Sequence, residues 1–183
     1  SYQDVKEISS KIKAHDLKVK VFTPENCMYQ YQFAAAKPWA FKNSLEYFKN
    51  GIRIASELGC TIMQCNSGWR YLDETREEGW QRCVEMLQNL CDFAKEQGIF
   101  LAMESLRPEE SDLVVRLEDA KKMVADVSRS NMKILVDTTA IGVSGETLEQ
   151  WFEAFGKDIV HMHFVDGNPY GSGGMDAAIW KKT

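Results

Sequence analysis

The chain has 183 residues, 44% of them hydrophobic and 27% charged, with a formal net charge of -5. That composition supports a single packed domain, lacks the basic clusters of a nucleic-acid binder, and contains no run near the ~18 apolar residues that a membrane span needs. Its five cysteines, Cys27, Cys60, Cys65, Cys83 and Cys91, are odd in number and form no CxxC pair, so reduced thiols in a cytoplasmic protein are expected rather than a disulfide framework or structural zinc.

The opening SYQDVKEISS is polar and does not have the pattern of a secretory signal. Residues 2–15 read as an amphipathic helix with Val5, Ile8 and Ile12 inward. LKVKVFTPE (17–25) alternates apolar and polar residues until Pro24 and reads as a strand. An aromatic-rich loop follows, then a helix from about Phe41 to Leu58 with Leu45, Phe48, Ile52 and Ala55 on one face, stopped by Gly59. CTIMQCN (60–66) is a strand. A long helix over about 74–97, with Trp80, Val84, Leu87, Leu90 and Cys91 inward, ends at Gly98. IFLAMES (99–105), MKILVDT (132–138) and IVHMHFVD (159–166) read as strands, separated by helices over 117–127 and 147–156.

The alternation of short apolar strands and amphipathic helices predicts an α/β fold with a parallel sheet and right-handed crossovers. Two architectures fit, a barrel and an open doubly wound sheet. No G-x-G-x-x-G follows a strand, which removes the main support for a dinucleotide fold.

In parallel α/β folds ligand sites form at the carboxyl ends of strands. Here those ends carry Glu104, Asp137, and His163 with Asp166. Two carboxylates and an imidazole suit a divalent ion such as Mn²⁺, Co²⁺, Mg²⁺ or Zn²⁺, and an ion would offset the cost of burying the acids. Singly, each has a plain structural role: a strand-end carboxylate as a cap or a loop hydrogen-bond acceptor, a histidine as a satisfied core residue. Recurrence at three successive strand ends favours a site. His161 and His163 lie two apart on one strand and share a face. Tyr29, Tyr31 and Trp69, in loops after strands, either form an apolar wall against a ligand or pack beneath those loops.

TPENCMYQY, LAMESLRPEESDLV, ILVDTT and HMHFVDGNPYG resemble segments of the xylose isomerase-like TIM-barrel superfamily of sugar isomerases and epimerases, nearest the fructoselysine 3-epimerase and D-tagatose 3-epimerase groups. The resemblance rests on Glu104 and Glu110 in E-x5-E and on His161, His163 and Asp166 in H-x-H-x-x-D, and extends to about Gly171. It implies a divalent-metal-dependent epimerase or isomerase acting on a ketose or fructosamine through an enediolate. Glu104 would be metal ligand and acid/base, Asp137 and His163 further ligands, and Glu110 a substrate hydrogen-bonding residue.

The chain departs from the pattern where a histidine three residues after the metal aspartate is replaced by Ala140. It departs again where an arginine six residues after the metal histidine is replaced by Pro169. Both changes point away from the free-ketose subgroup and leave fructoselysine-like or other substrates open.

A complete barrel of this kind needs roughly 250 residues. Residues 1–183 are therefore expected to be one partial domain: an incomplete parallel (β/α) TIM-barrel type with about five of eight strands. The eighth strand's glutamate would be missing, and the open sheet edges would be covered by a second copy of the chain. Besides the epimerase reading, a non-catalytic barrel remnant and a metal-dependent abasic-site endonuclease share this fold. Three histidines and a negative net charge disfavour the last.

Overall fold

The computed structural model describes residues 2–25 and 30–165. The elements run α1 (Tyr2–Ala14), β1 (Val21–Phe22), α2 (Pro38–Glu57), β2 (Ile62–Cys65), α3 (Arg76–Glu96), β3 (Phe100–Glu104), α4 (Leu117–Val127), β4 (Met132–Asp137), α5 (Thr138–Val143), α6 (Leu148–Phe155) and β5 (Ile159–His163). Helix boundaries follow local chemistry. Pro38 opens α2, where a missing backbone N–H costs nothing, so the helix starts before the expected Phe41. Thr75 and Glu78 close a capping box on α3. Gly59 and Gly98 follow α2 and α3 with φ of +75° and +69°, the left-handed region that ends helices.

Among the described residues the five strands form one parallel sheet in the order β1-β2-β3-β4-β5. Each crossover lands beside the strand it left, and the order never reverses. That is the connectivity of a barrel wall, whereas a doubly wound sheet has a switch point. The sheet is also strongly curved. In a flat sheet, strands two apart lie about 9.6 Å from each other, twice the ~4.8 Å interstrand spacing. Here Cα atoms of β3 and β5 come within 8 Å across β4. The fold is therefore an arc of a TIM barrel, as the β-α alternation predicts.

The core lies between the convex face of the arc and the helices. Met63, Cys65, Leu101, Met103, Met132, Ile134 and Val136 pack there against Phe48, Ile52, Trp80, Leu87 and Leu90. The intervening strand residues, Gln64, Ala102, Glu104, Leu135 and Asp137, take the concave face, because successive strand side chains alternate. The described cysteines Cys60, Cys65, Cys83 and Cys91 are buried and unpaired. Burial pushes the Cys91 thiol up to about 12, so at least this one is a core residue rather than a nucleophile.

Three expectations shift. β1 pairs only through Val21 with Ile62 and Phe22 with Met63, a shorter strand than 17–25. Ile8 is exposed and Ser9 is buried in its place, because Ser9 Oγ donates to the Glu57 carbonyl, 3.3 Å away, where α1 meets α2. α5 was not expected, since TTAIGV has poor helical composition.

Gly68 (φ +65°) closes the loop after β2, and a Cβ there would meet Phe33 N at 3.1 Å and Ala34 N at 3.2 Å, whereas at Gly98 a Cβ meets nothing within 4 Å. Gly98→Ala should cost about 1 kcal/mol of unfolding free energy from backbone strain alone. Gly68→Ala should cost more, about 2–4 kcal/mol, as strain and contact combine. Urea denaturation of both variants checks this, and equal losses would refute it.

Candidate metal centre

Glu104 is the last residue of β3, Asp137 the last of β4 and His163 the last of β5. One ligand atom from each lies within 4.8 Å of the others, and Glu104 is buried. The phase of β5 is what brings His163 into the group. Ile134 pairs with Ile159, but Leu135 pairs with His161 and Asp137 with His163, so β5 accommodates one extra residue, Val160. A one-residue shift exchanges the faces of a strand. It leaves Ile159 and Met162 packed on the core and gives His161 and His163 the concave face. Their rings meet edge to face with centroids 5.3 Å apart.

Glu104 is only 6% exposed, and both of its oxygens are engaged. His163 Nδ1 lies 2.6 Å from Oε1, and Gln64 Nε2 on β2 donates to Oε2 at 2.8 Å. Asp137 divides its work. Oδ1 accepts from the backbone N–H groups of Thr139 (2.7 Å) and Ala140 (2.9 Å), capping α5, while Oδ2 is 4.0 Å from His163 Nδ1. The cap role and the site role thus coexist in one carboxylate. Thr138 Oγ1 donates to the Val165 carbonyl (2.7 Å) and accepts from its N–H (2.9 Å), tying the chain after β5 to the end of β4.

A cleft of about 190 Å³ opens on this group, lined by Glu104, Leu106, Arg107, Glu110, Asp137, Thr139, Ala140 and His163. Glu110 therefore shares the site with the three ligand candidates. Arg107 grips it, with Nε to Oε2 at 3.0 Å and Nη2 to Oε1 at 2.6 Å. That hydrogen-bonded guanidinium holds the Glu110 carboxyl below the usual glutamate range. The other expected ligand contacts are placed differently. Tyr31 stacks on Tyr47 with ring centroids 4.4 Å apart. Trp69 is half-buried, and its backbone N–H donates to Gln32 Oε1 at 2.9 Å. Neither lines the cleft. Tyr29 and Asp166 lie outside the described residues.

Gln64 and Arg107 were not singled out by sequence reasoning. Gln64 had a usable signal, since it is the one strongly polar residue inside the apolar run TIMQC, on the same face as the ligands. Arg107 sits in a charged loop where only the distance to Glu110 distinguishes it.

The donor set fits a divalent cation. Two carboxylate oxygens and an imidazole nitrogen, held mostly by strands and close enough to share one ion at about 2.0–2.2 Å each, match borderline to hard divalent metals. Gln64 supplies the outer hydrogen bond that orients a ligating carboxylate.

The comparisons with known proteins agree with the fold. Residues 1–178 match the family model described as Xylose isomerase-like TIM barrel, so the match continues past Gly171, where the resemblance was expected to stop. Fructoselysine 3-epimerase of Shigella flexneri is 26% identical over 164 residues, covering 90% of this chain and 59% of that protein. Among solved structures, 3-keto-D-glucoside 4-epimerase from E. coli superposes with a TM-score of 0.85 at 18% identity, over 98% of this chain and 72% of that one. The IOLI protein, solved with a zinc atom, gives a TM-score of 0.73 at 20% identity, over 94% of this chain and 60% of that one. At these identities the structural likeness establishes the fold. The chain spans about three fifths of the length of the fructoselysine 3-epimerase it matches.

The two histidines are shifted in opposite senses from the ordinary imidazole value. The hydrogen bond to Glu104, aided by the charges of Glu104 and Asp137, raises His163 above the ordinary value of 6.5 against the effect of burial. Burial and the neighbouring His163 lower His161. Side-chain ¹⁵N spectra of the metal-free protein should show His161 losing its proton at lower pH than His163, and the reverse order would rule this out. Because the folded His163 value lies above 6.5, its stabilising contribution is complete below that pH and is lost as pH rises through the folded value. Affinity for a divalent ion should rise over the same interval, since the ligand must be neutral.

Proposed function

This chain belongs to the xylose isomerase-like TIM barrel family, and on that premise we propose that it carries the metal site of a divalent-metal-dependent epimerase or isomerase acting on a ketose or fructosamine. The observation that carries this reading is the convergence of Glu104, Asp137 and His163 from three consecutive strands on one cleft. The substrate class is supported by the sequence likeness to fructoselysine 3-epimerase and by the fold shared with a second sugar epimerase.

Glu104, Asp137 and His163 would hold the ion. When bound, it would supply Lewis-acid stabilisation of the negative charge that develops on a substrate oxygen as a carbon-bound proton leaves. Gln64 keeps one Glu104 oxygen fixed at 2.8 Å, which leaves Oε1, on the His163 side, to face the ion. Glu104 is then the acid/base candidate. Glu110, kept ionised by Arg107, accepts hydrogen bonds from substrate hydroxyls. Ala140 lines the cleft, so its methyl group leaves room where a histidine would stand in tagatose-type enzymes, which favours a bulkier, fructosamine-like substrate. A second copy of the chain, pairing with β1 and β5, the outermost strands among the described residues, is the assembly this reading favours.

Isothermal titration with Mn²⁺ tests the ligand set. Glu104→Gln should lose more than tenfold in affinity, and Gln64→Leu should lose about tenfold through the misoriented carboxylate. Unchanged Mn²⁺ binding in Glu104→Gln sinks the reading. Deuterium uptake from heavy water at the carbon beside the carbonyl, followed by NMR with D-fructose and fructoselysine, reports the chemistry directly.

A further inference from the structure

Arg107 lies in the same cleft as the ligand group, three residues after Glu104 and outside the ligand set. Its guanidinium meets both oxygens of Glu110, at 3.0 Å and 2.6 Å, and its own backbone N–H reaches Oε2 at 3.3 Å. The turn between them is closed by the Glu110 and Ser111 N–H groups, which donate to the Arg107 carbonyl at 2.8 Å and 3.1 Å. The turn is anchored from beneath. Leu106 N–H donates to the Val114 carbonyl at 3.2 Å, and buried Ser111 Oγ bonds Ser67 Oγ at 2.9 Å and the Gly68 carbonyl at 2.8 Å. The loop that carries Glu110 is therefore fastened to the loop after β2.

We propose that Arg107 is a positioning residue for substrate binding: its guanidinium holds the Glu110 carboxylate at the cleft wall so that the remaining acceptor site on Oε1 takes a hydrogen bond from a substrate hydroxyl. This rests on the epimerase reading above. An exposed i,i+3 ion pair would be worth little. This one is different in geometry and setting, because the fork is two-pronged and the side chains are only 23% and 29% exposed. A carboxylate has about four lone-pair sites; Arg107 fills three of them, two on Oε2 and one on Oε1, so Oε1 keeps one acceptor site. A carboxylate oriented before the ligand arrives loses less entropy on binding. The pairing also keeps Glu110 from adding an unpaired negative charge to the cleft that holds Glu104 and Asp137, which suits an uncharged polyol portion of the substrate.

The test uses Mn²⁺ as a paramagnetic probe, reading relaxation of the protons of D-fructose and fructoselysine, and needs no turnover. Arg107→Ala should bind Mn²⁺ within about twofold of wild type yet weaken sugar binding about tenfold, roughly 1.4 kcal/mol. Arg107→Lys, which keeps the charge but not the fork, should fall between the two. Glu110→Gln should weaken sugar binding to a similar degree, and the double variant should be no worse than Glu110→Gln alone, since Arg107 acts through Glu110. Additive losses would mean that Arg107 contacts the sugar itself and would overturn the assignment. So would sugar affinity unchanged in Arg107→Ala, or loss of Mn²⁺ along with it. Wild-type protein that holds Mn²⁺ but relaxes neither sugar would overturn the epimerase reading together with this assignment.

Discussion

The site depends on a buried carboxylate. Glu104 ends a strand whose preceding residues Leu101, Ala102 and Met103 are fully buried, and a lone anion there would be strongly destabilising, by several kcal/mol, unless compensated. The compensation arrives on the concave face from both flanks of β3. Gln64 donates from β2, and His163 approaches from β5, across the intervening β4. That second contact requires the sheet to curl, because a side chain on β5 reaches β3 at hydrogen-bonding distance only when the arc closes over β4. Curvature, burial of Glu104 and assembly of the ligand group are therefore one constraint. The same closeness that satisfies the acid also gathers one ligand atom each from Glu104, Asp137 and His163 within 4.8 Å.

The arc explains why a ligand group can form from these strands. A TIM barrel distributes its catalytic groups among several strand ends, and a group drawn from opposite walls would need the closed ring. Glu104, Asp137 and His163 come from neighbouring strands whose pairings are fully made within the arc. Their relative placement is set by local register and one bulge. Among the described residues β1 and β5 are the outermost strands of the arc.

The strand-helix alternation, the inward faces of α2 and α3, and the strand-end acids were legible in the sequence because each depends on short-range periodicity. What escaped depends on contacts made elsewhere. Ile8 has the right spacing to face inward, but α1 rests on α2 through Ser9, and helix rotation is decided by the partner surface. Tyr31 is recognisable as a loop aromatic, yet its stacking on Tyr47 of α2 depends on the loop's path. A period of two guarantees that His161 and His163 share a face. Which face they take is fixed by the extra residue at Val160, and no local signal in IVHMHF marks it. Gln64 acquires its role only through Glu104 on another strand, and Arg107 only through the turn that folds Glu110 back onto it.

Asp137 shows how one residue can carry both the structural and the chemical role between which its sequence context could not choose. α5 is six residues of TTAIGV, shorter than the length at which a helix is stable alone and poor in helix formers. Its first N–H groups need an acceptor, and Asp137 Oδ1 takes those of Thr139 and Ala140. The cap stabilises the helix, and the helix in turn fixes the carboxylate, since rotation about the side-chain bonds would break both hydrogen bonds. With Oδ1 committed, Oδ2 can only face His163 and the cleft. The oxygen that Asp137 offers to the candidate site is thus oriented by two backbone amides. The cost of ordering that side chain falls on folding rather than on binding.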